Sequence, residues 1–139
     1  VYAPDWRAPE RLAYTDRLAE LLAALLPDEP GLIGSVSTVP GGFRAAASAL
    51  GARGAMADAL LRHAVHLAAL EDRTGRRIAL ALEPEPMCLL ETTAEAVGFF
   101  ERDLFGAGAA ARFAALSGRP RAASEALLRR HLALCLDVC

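Results

Sequence analysis

The stretch Arg77-Ile-Ala-Leu-Ala-Leu-Glu83-Pro-Glu85-Pro86 constrains the chain most. It reads as a buried strand that stops abruptly at two carboxylates held between prolines. Side chains of a strand alternate between its two faces. Ile78, Leu80 and Leu82 therefore share one face, and Ala79, Ala81 and Glu83 share the other. The first face is large and aliphatic, suited to packing against helices. The second is small and ends in a carboxylate. Pro84 and Pro86 have no N–H for a ladder, so regular pairing is expected to stop there. Glu83 then occupies the last position of the small face, at the strand end where α/β proteins bind ligands.

The remaining elements are arranged around that strand. Val1–Trp6 reads as the tail of a strand and a loop. A helix follows, with Pro9 in its first turn; Leu18, Leu21, Leu22 and Leu25 form its apolar stripe, and Arg17 and Glu20 face away. Pro27 and Pro30 end it. Leu32–Val39 reads as a second strand, closed by Pro40-Gly41-Gly42. The Gly/Ala-rich stretch to Gly54 fits either a loop or a short helix. A helix is predicted from about Ala55 to Arg73, with Gly75 as its C-cap. Leu60, His63, Leu67 and Leu70 share its buried face, so His63 reads as a satisfied, half-buried histidine. His66 falls with Arg62 and Arg73 on the solvated side. After the central strand, Thr92-Thr-Ala-Glu95 is a capping box opening a helix to about Leu104. Further helices are predicted over Ala107–Leu116 and Ala122–Arg130. In His131–Cys139 the alternation returns: Leu132, Leu134 and Leu136 on one face, Ala133, Cys135 and Asp137 on the other.

Alternating strands and helices predict a parallel sheet with right-handed crossovers. A complete (β/α)8 barrel needs ~250 residues, and the chain has 139. The expected fold class is α/β: a partial (β/α)8 TIM barrel of about four parallel strands with intervening helices, residues 1–139 forming one incomplete barrel segment. An open flavodoxin-like sheet is the runner-up. It is disfavoured because no glycine-rich phosphate loop is present. A half barrel has open edges, so association with a second copy, as a homodimer, or with the missing part of the barrel is expected.

Composition narrows the function. The chain is 54% apolar and 23% charged, enough for a globular core. No apolar run approaches the ~18 residues of a membrane span. A net charge of −2 leaves no footprint for nucleic acid. No leader pattern precedes the first helix, so a cytoplasmic location is expected. Cys88, Cys135 and Cys139 are odd in number and lack a CxxC pair. Reduced, inert thiols are therefore expected.

Several segments resemble one family. Ile78-Ala-Leu-Ala-Leu-Glu83-Pro is similar to the LALEP strand of xylose-isomerase-like TIM barrels, which comprise sugar isomerases and epimerases and the related endonuclease IV-type enzymes. Leu89–Val97 resembles the segment that follows that strand. Leu134-Cys-Leu-Asp137-Val-Cys139 resembles CLDTCH, in which the Asp and the His are metal ligands. Cys139 stands one residue before the place of that His. Ser37-Thr-Val-Pro-Gly-Gly42 and Glu83-Pro-Glu-Pro86 look closest to the Ebo-type metabolite-traffic branch.

The resemblance implies that Glu83 and Asp137 are metal ligands in a divalent-metal-dependent sugar or sugar-phosphate isomerase or epimerase. The residues agree with it. Two inward carboxylates end adjacent strands ~4.8 Å apart, within reach of one Mg²⁺ or Mn²⁺, or of Zn²⁺ if imidazoles complete the shell. The alternative is that both acids cap strand ends and accept hydrogen bonds from loop amides. Glu85, Trp6 and Thr38 are the expected contacts to a sugar or polyol-like ligand, although Glu85 also fits solvent, and Trp6, like Phe43, also fits buried packing. A non-catalytic metabolite-binding or trafficking protein on the same scaffold is the alternative function.

Overall fold

The computed structural model describes residues 2–138. The elements run α1 Pro9–Leu25, β1 Ile33–Thr38, α2 Arg44–Ala47, α3 Ala52–Thr74, β2 Arg77–Leu82, α4 Thr93–Phe99, a π-helical turn Phe100–Leu104, α5 Ala107–Ser117, α6 Arg121–His131 and β3 Leu132–Leu134. The fold is α/β. Its described strands form one parallel sheet in the order β1-β2-β3.

Strand parity in β2 follows the sequence pattern. Ile78, Leu80 and Leu82 are fully buried in the core, and Ala79 and Ala81 lie on the opposite face. Register extends that second face: Ser35 and Ser37 pair with Ala79 and Ala81, and Ala133 pairs with Ala81. Ser35 and Ser37 are exposed, so this face carries small side chains and no helix covers β1 there. On the covered face α1 approaches closely. A Cβ added at Gly34 would stand 2.6 Å from Ile78 Cδ1 and 2.8 Å from Leu26 Cδ1.

Two prolines stop the ladders. Glu83 N donates to Thr38 O at 3.0 Å, and Cys135 N donates to Leu82 O at 2.8 Å. The next rungs of a parallel pair would be donated by residues 40 and 84, and both are proline.

Several expectations need correction. Tyr2–Trp6 is not a strand: its backbone crosses the strand ends, where Trp6 N donates to Gly41 O at 3.0 Å. Val1, the start of that expected strand, and Cys139, the end of the last one, lie outside the described residues. β3 is short, because the next donor toward it after the Cys135–Leu82 bond would be residue 84, a proline. On α1 the buried residues are Thr15, Ala19 and Ala23, while Leu21 is 60% and Leu25 80% exposed. Small residues bring α1 close to α3, and interaxial distance is set by the side chains at the contact. Glu20 accordingly faces α3, its Oε1 3.6 Å from His66 Nε2 and 4.0 Å from Arg73. His66 is half-buried rather than solvated.

Local signals hold. Both halves of the Thr92–Glu95 capping box form, and Gly75 closes α3 with a φ of 70°. Arg44–Ala47, within the undecided Gly/Ala-rich stretch, is a short helix. No helix among the described residues is long and apolar enough to cross a membrane.

Candidate functional site

Three loops meet at the C-terminal end of the sheet. Residues 42–44 and 87–89 pair as a short ribbon: Arg44 N donates to Met87 O at 2.8 Å, and Leu89 N to Gly42 O at 2.9 Å. Met87 has a φ of 62°, a left-handed conformation that is costly for a side chain of its size. The N-terminal segment lies against this ribbon. A Cβ at Gly42 would meet Asp5 Oδ2 at 2.7 Å, and the Tyr2 and Phe43 rings lie 4.8 Å apart.

Between this rim and α1 is a cleft of about 250 Å³. β1 contributes Ser37 and Thr38, β2 is followed by Glu83 and Glu85, and α1 contributes Arg11, Tyr14 and Leu18. Glu83 is the central group. Its backbone is pinned by the last ladder bond, and its Oε2 accepts from Ser37 Oγ at 2.8 Å. The partner is a hydroxyl on the neighbouring strand and not a loop amide.

Tyr2 lines the cleft together with Glu85. Burial above all, and then the nearby Glu85 charge, raise the Tyr2 phenol above its ordinary value, so it stays protonated as a donor. Arg11 Nε donates to Pro4 O at 2.7 Å, fixing α1 to the N-terminal segment. Cys88 is buried, and burial raises its thiol away from the reactive thiolate.

The expected site residues separate into groups. Glu83, Glu85 and Thr38 line the cleft together. Thr38 Oγ1 already accepts from Trp6 Nε1 at 3.1 Å. Trp6 is fully buried, and its ring offers no surface to a ligand. Its place is in the core because the indole N–H finds Thr38 there and His63 lies 6.0 Å away. Phe43 is half exposed on the rim. Asp137 does not stand level with Glu83. Register puts Cys135 there, and Asp137 lies beyond the last strand residue in exposed, irregular backbone.

Among the described residues no group of three His, Cys, Asp or Glu converges to hold a metal ion. The donors in the cleft are oxygens: Glu83, Glu85, Ser37, Thr38 and the tyrosines. That set suits a hard cation such as Mg²⁺ or Mn²⁺ better than Zn²⁺, which favours imidazole or thiolate. The histidines are engaged elsewhere, His63 with Asp16 and His131 with Ile78 O.

Sequence reasoning did not point to Tyr2, Ser37, Arg11 or Tyr14. Ser37 had a signal, since it alternates with Ser35 on the face that Glu83 ends. Arg11, Tyr14 and Leu18 had a weaker one, the i, i+3, i+7 spacing of a helix face. Tyr2 had none. No family model, curated protein or solved structure matches the chain.

Proposed function

We propose that this chain is a segment of a xylose-isomerase-like (β/α)8 barrel whose rim cleft binds a sugar or polyol with the help of a divalent cation, in an isomerase or epimerase reaction. The observation that carries the reading is Glu83: a carboxylate at the C-terminal end of the central parallel strand, on the face no helix covers, oriented by Ser37 from the next strand. The consecutive order β1-β2-β3 agrees with a barrel segment, and it is also the order within one half of a doubly wound sheet.

Glu83 is the first ligand in this proposal, with Glu85, which lines the same cleft, as the second carboxylate. A bound cation supplies polarisation of a carbonyl oxygen and a grip on neighbouring hydroxyls. The chain's own groups orient the ligand. Ser37 holds the Glu83 carboxylate, the Tyr2 phenol donates toward oxygen, and the Tyr2 and Phe43 rings offer a stacking edge.

The test is Mn²⁺ binding followed by electron paramagnetic resonance, on the parent and on Glu83→Gln. Binding weakened at least tenfold in a variant with an unchanged circular dichroism spectrum is expected. Equal binding removes Glu83 from the ligand set. Proton exchange at the carbon next to the carbonyl, followed by NMR in deuterated water over a panel of aldoses and ketoses, tests the isomerase reading. Saturable binding without exchange points to a metabolite-binding role on the same scaffold. The cleft lining of one guanidinium, hydroxyls and two carboxylates, with no histidine among the described residues that line it, is the observation that favours that second reading.

A further inference from the structure

α1 has two working faces. One presents Arg11, Tyr14 and Leu18 to the cleft. The other is clasped to α3. There Asp16 Oδ1 stands 2.6 Å from His63 Nδ1, and one turn on Glu20 reaches His66 and Arg73. His63 is 0% exposed, and its Nε2 is buried without a hydrogen-bond partner. With a carboxylate on Nδ1, the neutral ring carries its proton at Nδ1 and a bare lone pair at Nε2. A second proton would place an N–H at Nε2 with no acceptor, inside the core and 6.1 Å from the His66 ring. Closure of the seam therefore accepts His63 in one charge state.

We propose that the α1–α3 seam is an acid-sensitive latch, in which protonation of His63 releases α1 and with it the cleft wall that carries Arg11 and Tyr14. The charged and titratable groups at the seam are Asp16 and Glu20 from α1 and His66 and Arg73 from α3. The segment before α1 presents Trp6 to His63, and Thr38 of β1 lies behind Trp6; neither titrates. Burial lowers the His63 pKa below its ordinary value, outweighing the opposing pull of Asp16. The released state thus takes up the proton first, and closure is lost as pH falls below the ordinary histidine range. The proposal does not depend on which ligand fills the cleft.

Trp6 is the single tryptophan and lies 6.0 Å from His63, so its emission reports on this seam. The experiment follows Trp6 fluorescence and hydrogen exchange of the α1 amides, corrected for intrinsic rates, between pH 7.5 and pH 5 (from about a unit above to about 1.5 units below the ordinary histidine value). In the parent the opening equilibrium of α1 is expected to rise up to about tenfold per pH unit below about 6.5, with Trp6 emission changing in step. His63→Gln, which keeps a donor for Asp16, should abolish both responses. His131→Gln, altering the other fully buried histidine, should leave them in place. A parent whose α1 amides and Trp6 emission ignore pH overturns the latch, as does a response that survives in His63→Gln. If His63→Gln does not fold, Asp16→Asn decides. It keeps an acceptor for Nδ1 but removes the charge that favours the protonated ring, so its opening at pH 5 should exceed the parent's, and equal or smaller opening overturns the proposal.

Discussion

Leu80 and Gly34 show how little freedom single residues have where α1 and α3 close over the sheet. Leu80 is fully buried at the middle of β2. Leu80→Ala is expected to cost about 2–5 kcal/mol, the lost transfer energy plus a cavity that the sheet cannot collapse into. An unchanged denaturation midpoint would mean that the strand parity is inverted and that Glu83 points away from the cleft. Gly34→Ala adds a single methyl group, 2.6 Å from Ile78 Cδ1 and 2.8 Å from Leu26 Cδ1. Overpacking of that kind costs roughly 1–3 kcal/mol, readable as a lower urea midpoint at unchanged slope. Trp6 teaches the complementary lesson. An aromatic ring near a strand end invites a stacking role, yet the indole N–H has its partner in Thr38, and the ring belongs to the core.

Among the elements, α4 is the clearest case of a helix start written locally. Thr92 accepts from Glu95 N, and the Glu95 carboxylate takes the backbone N–H groups of Thr92 and Glu91. Arg44, from α2, adds the strongest contact, and together they hold the Glu95 carboxyl down to about 2. The stabilisation from this lowered carboxyl is complete above the ordinary glutamate range and is lost as pH falls from there toward 2. Glu95→Gln should therefore flatten the acid limb of a stability-versus-pH profile, and a limb identical to the parent's would rule out that role. Thr92→Ala should cost about 1 kcal/mol through the cap alone. α1 makes the opposite point. Leu25 is 80% exposed, so Leu25→Ala should change stability by no more than about 0.5 kcal/mol. Ala19→Leu, in the seam against α3, should destabilise strongly. The reverse ranking would restore the leucine stripe as the buried face.

For the molecule as a whole, the described sheet packs its large aliphatic face, Ile78, Leu80 and Leu82, into the core. Among the described residues β1 pairs with β2 alone, and β3 with β2 alone. Among the described residues the outer edge of β1 therefore has no partner strand, and Ile33 on that strand is exposed. Such an edge invites another strand. The chain studied by itself is expected to self-associate at micromolar concentration, and sedimentation equilibrium is the measurement. A stable monomer would favour a self-contained open sheet over a barrel segment.

The sequence by itself determined the parity of β2, the capping box of α4, the glycine cap of α3 and the prolines that end both ladders. Each depends on residues within a few positions of one another, where backbone geometry and hydrogen-bonding capacity leave few choices. Tertiary structure decided which face of α1 is buried, the shortness of β3, the burial of Trp6, and the meeting of Tyr2, Arg11, Ser37 and Glu83 in one cleft. Ser37 and Glu83 are 46 positions apart, and Asp16 and His63 are 47. Whether such groups touch depends on how closely two helices and a sheet pack, and that closeness is set by small residues such as Ala19, Ala23 and Gly34. Composition and periodicity rank the leucines of α1 above its alanines. Packing ranks them the other way, because the shortest side chains allow the closest approach.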